Sequence, residues 1–386
     1  MTTVGQYAIV ALKLIAAYFV TLFSPSKRRN PNLMLVSEKG YDARDNGYHF
    51  FLHVLQYHPE IEAYYVISDD SPDRHRLAEH ENRLVRYLSF RHCKLFCQAH
   101  WLVGTHFRSG HTPMPFEAAK WVNRVFHIFK HKKVVFLQHG ITKNFQKRFG
   151  VKNTFFDLII CGAAPEVDYF VEEFQYPRSV ARYTGFCRYD KLIDFQVKRQ
   201  LLVMPTWRKY INPNQIVDSQ YYKAYEALLT DPRLASLLEQ HDMELIFYPH
   251  HCFQPVVDRF KKGGISPRIT IADVAHYDVQ QLLKESALLV TDYSSVFFDF
   301  TYMKKPVLFY QFDKDIFFSK HVGSGYVDES AFGPVALDVD GLLSSLEACL
   351  ENGMHLEPAY EATVDRFFPM RDTHNCERVF DAVMDC

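Results

Sequence analysis

The stretch "LLVTDYSSVFFDF" (residues 288–300) joins two apolar patterns through a cluster of polar residues. Its first half is a short continuous apolar run, typical of a strand that is buried on both faces. Its second half places large apolar side chains on the buried side of a helix. The polar cluster between them, at Thr291, Asp292, Ser294 and Ser295, is therefore predicted to lie at the carboxyl end of a strand that leads into a helix.

Short apolar runs alternate with longer amphipathic ones on both sides of this stretch, and the alternation starts afresh after Asp194. Such alternation predicts an α/β protein with parallel strands and crossover helices. A chain of 386 residues is also too long for one ordinary core, which favours two domains, each with its own sheet. The expected strands lie at 33–37, 63–68, 101–105, 133–138 and 157–162, and then at 200–205, 243–249, 268–272, 287–292, 306–311 and 334–339.

These patterns divide the chain into three predicted parts. An apolar helix and a basic segment occupy residues 1–30, a first α/β domain residues 31–194, and a second residues 195–386, with a last helix that could cross back to the first domain. The formal charge of −1 gives no reason to expect a nucleic-acid partner. The eight cysteines contain no Cys-x-x-Cys pair, which favours reduced thiols in a reducing compartment.

The N-terminal residues 7–23 are apolar except for Lys13 and Thr21, and a basic cluster follows at 27–29. A secretory signal has its basic region before the apolar run, so this is not a signal peptide. The run is at the lower limit for crossing a bilayer, and Lys13 makes crossing costlier. We expect a membrane-associating helix that lies among the headgroups of the inner leaflet, with a helix packed on the protein body as the alternative.

The first domain has one outstanding strand end, "VVFLQHGITKN" (residues 134–144). Ligands of parallel α/β sheets bind beyond the carboxyl ends of the strands. Gly140 permits a tight turn there, so His139 is expected to face a crevice. Gln138, Gly140 and Lys143 are candidate acceptor-binding or auxiliary groups beside it.

Two further strand ends of the second domain carry polar residues. "LLVMPTWRKY" (residues 201–210) presents Thr206 and Arg208, and Arg has a planar fork suited to phosphate oxygens. "LIFYPHH" (residues 245–251) ends in His250 and His251, and His251 is a further candidate acceptor-binding or auxiliary group.

The polar cluster of the opening stretch completes this edge. Its serines stand where a helix begins, and the first turn of a helix offers unpaired N–H groups and a partial positive charge. Together with Arg208 and His250 on the same predicted edge, Ser294 and Ser295 indicate a phosphate site. Taken alone, Asp292 or Ser294 could simply cap the helix. Neither a P-loop nor a Gly-x-Gly-x-x-Gly dinucleotide motif is present.

The motifs "QHG", "PTWR", "YPHH" and "TDYSSVFFDF" followed by "KKPVLFY" resemble those of the CDP-glycerol glycerophosphotransferase family, whose enzymes build teichoic acids and teichoic-like capsules. The resemblance runs from about residue 130 to the C-terminus. Two positions depart from the family pattern. "QHG" stands where "WHG" is common, and Thr373 follows Asp372 where a glycine is usual.

The resemblance implies a GT-B-like fold in which two Rossmann-like domains face a cleft, with the acceptor on the first domain and the CDP donor on the second. It implies transfer of a polyol phosphate from CDP-glycerol or CDP-ribitol to a lipid-linked or polymeric acceptor, at the cytoplasmic face of the membrane. The family's two important histidines match His139 and His250.

An alcohol that attacks the donor needs a base, and the leaving phosphate needs hydrogen-bond donors or positive charge. We expect His139 to be the base, and His250, Arg208, Thr206 and the 291–295 cluster to hold the pyrophosphate. None of these motifs requires a metal cofactor, although the adjacent histidines could ligate one. Two alternatives stay open: a GT-B glycosyltransferase that uses a nucleotide sugar, and a non-catalytic protein that binds anionic polymer.

Overall fold

The structure, a computed structural model, describes residues 4–23, 30–106, 110–261, 264–320 and 325–386. The predicted basic cluster at 27–29 lies outside the described residues. The chain divides into two compact units. The first comprises Met1–Ile141, Lys147–Lys191 and Asp372–Cys386, and the second Thr142–Gln146 and Leu192–Arg371.

The sheet of the first unit has seven strands in the order β3-β2-β1-β4-β5-β6-β7, and each neighbouring pair is parallel. Its apolar residues, such as Leu35, Val66 and Leu102, are fully buried, as expected for a sheet covered on both faces. The strands are β1 (Asn30–Ser37), β2 (Glu62–Ile67), β3 (Leu84–Arg86), β4 (Ala99–Gly104), β5 (Lys133–Phe136), β6 (Leu158–Cys161) and β7 (Ala181–Tyr183). The α-helices up to β7 are α1 (Val4–Leu22), α2 (Asn46–Tyr57), α3 (Phe90–Gln98), α4 (Phe116–Phe126) and α5 (Ala164–Glu172).

The sheet of the second unit has six strands, again parallel, in the order β10-β9-β8-β11-β12-β13. All six residues of its central strand β11 are buried, which explains the unbroken apolar run in the sequence. The strands are β8 (Lys198–Val203), β9 (Glu244–Phe247), β10 (Ile269–Ile271), β11 (Ser286–Thr291), β12 (Val307–Tyr310) and β13 (Val335–Ala336). The helices are α6 (Gln220–Thr230), α7 (Pro232–Gln240), α8 (Val279–Glu285), α9 (Val296–Tyr302), α10 (Lys314–Lys320), α11 (Val339–Glu351) and α12 (Pro358–Phe367).

These sheets confirm the prediction of two Rossmann-like parallel α/β units. Every predicted strand is present, and the sequence pattern missed only β3 and β7 among the strands of the described residues. Both missed strands have three residues and lie at the sheet edges.

The C-terminal helix, α13 (Asn375–Met384), belongs to the first unit rather than to the second. The carboxylate of Asp190 accepts hydrogen bonds from the backbone N–H groups of Asn375 (2.7 Å) and Cys376 (2.9 Å). These are orphan donors of the first helical turn, so Asp190 caps the helix from within the first unit. The second unit therefore ends at Arg371 and not at the C-terminus, and it begins at Leu192 instead of residue 195.

Helix α1 packs along α3 and leaves an apolar face uncovered. Val10, Ala17 and Cys93 are buried in this contact, and the Lys13 Nζ donates to the carbonyl oxygen of Leu88 at 3.2 Å. Leu12, on the opposite face of the helix, is 69% exposed. None of the helices within the described residues combines the length and the apolar character needed to cross a bilayer. The helix thus packs on the protein body, the alternative considered above, while its location in a membrane surface stays a prediction.

Candidate active site

The turn after β5 presents His139, and the residue before it fixes the turn. Gln138 has a left-handed backbone (φ 57°), which costs a non-glycine residue on the order of 1–3 kcal/mol. Its buried side chain donates from Nε2 to the carbonyl oxygen of Ile160 (2.9 Å) and to Glu166 Oε1 (3.0 Å). Its backbone carbonyl accepts from Asn46 Nδ2 at 2.8 Å. The predicted contact of Gln138 with a substrate is therefore wrong: the side chain is enclosed and positions its neighbour.

His139 has an exposed edge at the carboxyl end of the sheet and a defined tautomer. Its Nδ1 lies 3.4 Å from the carbonyl oxygen of Thr105. A carbonyl oxygen can only accept, so Nδ1 carries the hydrogen and Nε2 keeps its lone pair. Nε2 is the atom that could accept a proton from a substrate. Gly140 follows and is partly exposed.

The surroundings of His139 keep its ring neutral. The surrounding protein desolvates the imidazolium and lowers the pKa of His139 from 6.5 to about 4, against the opposing effect of the Thr105 carbonyl. The cations Lys39, Arg188 and Arg148 lower it further. A neutral imidazole at physiological pH is the form that a general base requires.

In the second unit, Arg208 is enclosed and does not face solvent. Its side chain is fully buried, Nε and Nη2 donate to the Asp313 carboxylate at 2.8 and 2.9 Å, and Nη1 lies 2.9 Å from Asp292 Oδ2. Nη1 also donates to the Thr206 carbonyl at 2.7 Å. The prediction that Arg208 holds the donor pyrophosphate is wrong in this structure, because its guanidinium is taken up by two carboxylates and a carbonyl.

Asp292 and Thr291 join the ends of two strands. Asp292 Oδ1 accepts from the backbone N–H of Thr206 at 2.8 Å and from that of Tyr293 at 2.6 Å. The Thr291 hydroxyl donates to the carbonyl oxygen of Met204 at 2.7 Å. Both side chains are fully buried. They were predicted to contact the donor phosphates, but they instead fix the loop after β8 to the loop after β11.

Three hydroxyls remain at this edge. Ser294 Oγ accepts from the Val296 N–H at 3.3 Å, as the capping alternative predicts, and the residue is partly exposed. Ser295 is the N-cap residue of α9, is partly exposed, and its side chain makes no capping bond. Within the described part of the chain, the Thr206 Oγ1 is buried and has no hydrogen-bond partner. A buried hydroxyl without a partner is uncommon and indicates a place for a ligand or water.

His250 has the opposite tautomer to His139. Its Nδ1 accepts from the backbone N–H of Cys252 at 3.2 Å, so the hydrogen is on Nε2. Its ring stacks on Trp207, with centroids 5.9 Å apart and planes 19° from parallel. In this tautomer Nε2–H is the hydrogen-bond donor of the His250 ring. The side chain of His251 lies outside the described residues.

Lys143 belongs to the second unit, although it follows His139 closely in sequence. Its ammonium lies 2.6 Å from Glu329 Oε1 and 5.3 Å from the centre of the Phe297 ring, and the side chain is 7% exposed. A buried ion pair of this kind is a structural contact within the second unit, and the auxiliary role of Lys143 stays a prediction.

One comparison decides the family. The family model described as CDP-Glycerol:Poly(glycerophosphate) glycerophosphotransferase matches residues 16–385. The chain belongs to this family.

Three relatives have known roles in teichoic acid synthesis. The chain is 30% identical over 360 residues to the minor teichoic acid biosynthesis protein GgaB of Bacillus subtilis, which covers 89% of this chain and 38% of GgaB. It is 24% identical to the teichoic acid poly(glycerol phosphate) polymerase of Bacillus subtilis (63% of this chain, 33% of the polymerase). It is 23% identical to the teichoic acid glycerol-phosphate transferase of Staphylococcus aureus (63% and 64%). The chain therefore spans only about a third of the length of GgaB and the polymerase.

Solved structures support the same fold. The wall teichoic acid polymerase TagF matches with a TM-score of 0.66 and 17% identity, over 100% of this chain and 98% of the TagF chain. A putative UDP-N-acetylglucosamine 2-epimerase from Listeria monocytogenes matches with a TM-score of 0.58 and 13% identity, over 92% of this chain and 96% of that chain. At these identities the matches establish the fold alone.

The sequence analysis missed two residues that support the candidate site. His106 follows β4 by two residues and stacks on His139, and Asp313 follows β12 and holds Arg208. Both obey the strand-end rule that found the other residues. Within the described residues, no group of three or more His, Cys, Asp or Glu side chains could hold a metal ion.

Proposed function

We propose that this chain transfers a polyol phosphate, most simply glycerol phosphate, from a CDP-linked donor to a hydroxyl of a polymeric or lipid-linked acceptor. CMP is the second product, and the polymer is a teichoic acid or a related capsule. The family match across both units supports the reaction class. The relatives named as a poly(glycerol phosphate) polymerase and a glycerol-phosphate transferase support CDP-glycerol as the first donor to be tested, with CDP-ribitol as the second.

The observation that carries the proposal is the opposite tautomer of two histidines at strand ends. His139 offers a lone pair on Nε2, and His250 offers an N–H on Nε2. The first suits removal of a proton from the attacking alcohol, and the second suits stabilisation of negative charge on the leaving group.

The reaction balances with these two groups. The acceptor oxygen attacks the β-phosphorus of the donor, a new P–O bond forms, and the bond from that phosphorus to the bridging oxygen of CMP breaks. The alcohol proton passes to His139 Nε2, and the electron pair leaves with CMP. His250 donates to a phosphate oxygen as the charge on CMP develops.

The second unit supplies the donor-binding hydroxyls in this proposal. Ser294, Ser295 and Thr206 provide O–H groups at the edge where β8 and β11 end. Helix α9 has only seven residues, so the hydroxyls are expected to contribute more than its dipole. Arg208 does not contact the donor in this proposal; it holds Asp292 and Asp313, which fix the loops.

We also propose that the reaction needs no metal, and that the chain works at the cytoplasmic face of the cell membrane as a peripheral or monotopic protein. The uncovered apolar face of α1 supports the second point, because exposed apolar surface of that kind marks an interaction site.

The test is an assay of nucleotide release by the purified chain with CDP-glycerol, CDP-ribitol or nucleotide sugars, with and without a membrane fraction as acceptor. CMP that appears only with a CDP-polyol and acceptor, and equally in EDTA, supports the proposal. Release of a nucleoside diphosphate from a nucleotide sugar would establish a glycosyltransferase instead. Loss of CMP release in EDTA would refute the metal-free part alone.

A further inference from the structure

A large apolar groove lies within the first unit, at the opposite end of the sheet from His139. Its walls come from α1, from α4 and from the segments that enter β1, β4, β5 and β6. Because all strands of this sheet are parallel, their entry ends face away from the carboxyl ends where His139 lies. The groove is therefore separate from the candidate active site.

The volume of the groove is sufficient for a long hydrocarbon chain. Its volume is about 1700 Å³, larger than the roughly 300–1,000 Å³ of sites for drug-sized ligands. Apolar side chains form most of its lining, among them Leu14, Phe96, Val122, Phe129 and Phe155. A cavity with such a lining favours an apolar occupant over water.

The apolar lining continues onto surface that water would otherwise cover. Ile15, Tyr18 and Phe19 line the groove from α1 and are 54%, 52% and 53% exposed. Trp121 lines it from α4 and is 64% exposed. An exposed apolar area that is continuous with an apolar groove marks a binding surface for a hydrocarbon-bearing partner.

The charged side chains of the lining point to a negative headgroup. Lys130, Lys132 and Lys133 line the groove, whereas Asp157 is the one carboxylate among its lining residues with described side chains. The Lys132 ammonium is held by the carbonyl oxygens of Phe96 (2.6 Å) and Ala99 (2.9 Å). The excess of cations complements an anion close to the apolar floor.

We propose that this groove holds an acyl chain of an anionic membrane phospholipid, with the lipid phosphate beside Lys130 and Lys133. The inference rests on the proposed membrane-surface location and adds a specific lipid site to it. A second copy of the chain is a poorer occupant. A two-fold interface would bury the same patch of both copies, so the lysines of both copies would lie in one apolar interface without an anion.

Trp121 allows a direct test with the full chain. Vesicles of phosphatidylcholine and phosphatidylglycerol are prepared with bromine atoms at the middle of the phosphatidylglycerol chains, and tryptophan fluorescence of the bound protein is measured. We expect quenching that is lost in Trp121→Phe, because Trp101 is buried in β4 and Trp207 belongs to the second unit. Bound protein whose Trp121 is not quenched would overturn the lipid site and leave the membrane-surface location standing.

Matched variants distinguish insertion of a lipid chain into the groove from general adsorption of the protein to vesicles. Ile15 lines the groove, and Ile9 is equally exposed on α1 (55%) without lining it. We expect Ile15→Asp to abolish the quenching of Trp121 and Ile9→Asp to leave the quenching of vesicle-bound protein intact. Equal loss of quenching in both variants would contradict the proposal.

Two lysine variants test the contact with the lipid headgroup. Removal of one cation near an anionic surface should weaken vesicle binding about fivefold. We expect this for Lys130→Gln and no change for Lys152→Gln, which is exposed and does not line the groove. Equal binding to vesicles of phosphatidylcholine alone, or self-association without vesicle binding, would refute the proposal. CMP release with a soluble acceptor should be unchanged in these variants, so failure here is distinct from failure of the proposed reaction.

Discussion

The imidazole rings of His106 and His139 stack face to face, with centroids 4.3 Å apart and planes 10° from parallel. His106 is itself held by a hydrogen bond between its Nδ1 and the hydroxyl of Thr105 (2.8 Å). The carbonyl of the same Thr105 receives the His139 Nδ1–H. One residue at the end of β4 therefore orients both rings and sets the direction of the His139 lone pair.

Replacement of His139 by Asn should remove the proposed base. We expect CMP release to fall about 10²–10⁴-fold, the usual contribution of a positioned general base. Donor binding, measured by calorimetry with CDP-glycerol, should be unchanged. The control is His75→Asn, because His75 is exposed and lies elsewhere in the first unit. A His139→Asn variant with more than a tenth of wild-type turnover would rule out the role of base.

The His106 ring, which stacks on His139, should affect turnover by orienting the His139 ring. His106→Phe keeps a flat ring in place, and we expect it to retain most of the activity. His106→Ala removes the ring, and we expect kcat to fall while KM for the donor stays constant. If both variants have the same activity, His106 does not position His139.

The lowered pKa of His139 predicts the pH dependence of turnover. Only the neutral ring can accept a proton, so activity should persist below pH 6.5 and fall as the pH approaches the pKa of about 4. Lys39 contributes to the lowering, so Lys39→Asn should move the acid limb of kcat/KM to higher pH. Asn tolerates the left-handed backbone of this position (φ 55°). An acid limb at or above pH 6.5 in the wild type would contradict the neutral-base proposal.

The fold was predictable because parallel strands buried on both faces leave continuous apolar runs, as β11 does in "SALLVT". The position of His139 was predictable for a related reason, since polar residues that follow such runs lie at the carboxyl edge of the sheet. The same rule covers His106, which the sequence analysis did not select.

The roles of Arg208 and Asp292 were not predictable in the same way. A strand-end position places a residue at the edge but does not say whether its side chain faces a ligand or a neighbouring loop. That choice depends on Asp313, which is 105 residues from Arg208 in the chain and whose pairing with it no local pattern reveals. Likewise, the contact of α13 with Asp190 joins residues 185 apart.

The buried ion pairs of Arg208 predict a stability effect rather than a direct effect on donor contacts. Arg208→Met would leave Asp292 and Asp313 buried without their cation, which should lower the free energy of unfolding by about 3–5 kcal/mol. The control, Arg233→Met, removes an exposed arginine that pairs with Asp231 and Asp340 and should cost less than about 1 kcal/mol. Urea unfolding at constant pH measures both. Equal effects in the two variants would show that the buried pairs do not hold the loops.

Substitution of Thr206 tests whether its hydroxyl contacts the donor or stabilises the loop. Its buried Oγ1 has no hydrogen-bond partner within the described residues, and such a group costs about 1–3 kcal/mol when nothing occupies the site. Thr206→Val keeps the shape and removes the hydroxyl. Without donor, we therefore expect the variant to be as stable as the wild type or more stable in urea. With donor, we expect weaker binding of CDP-glycerol by calorimetry, about five- to tenfold, because the phosphate loses one hydrogen bond. Ser295→Ala should weaken binding in the same way, since its side chain does not cap α9. A Thr206→Val variant that loses stability and keeps donor affinity would place the hydroxyl in the structure of the loop and not in the donor site.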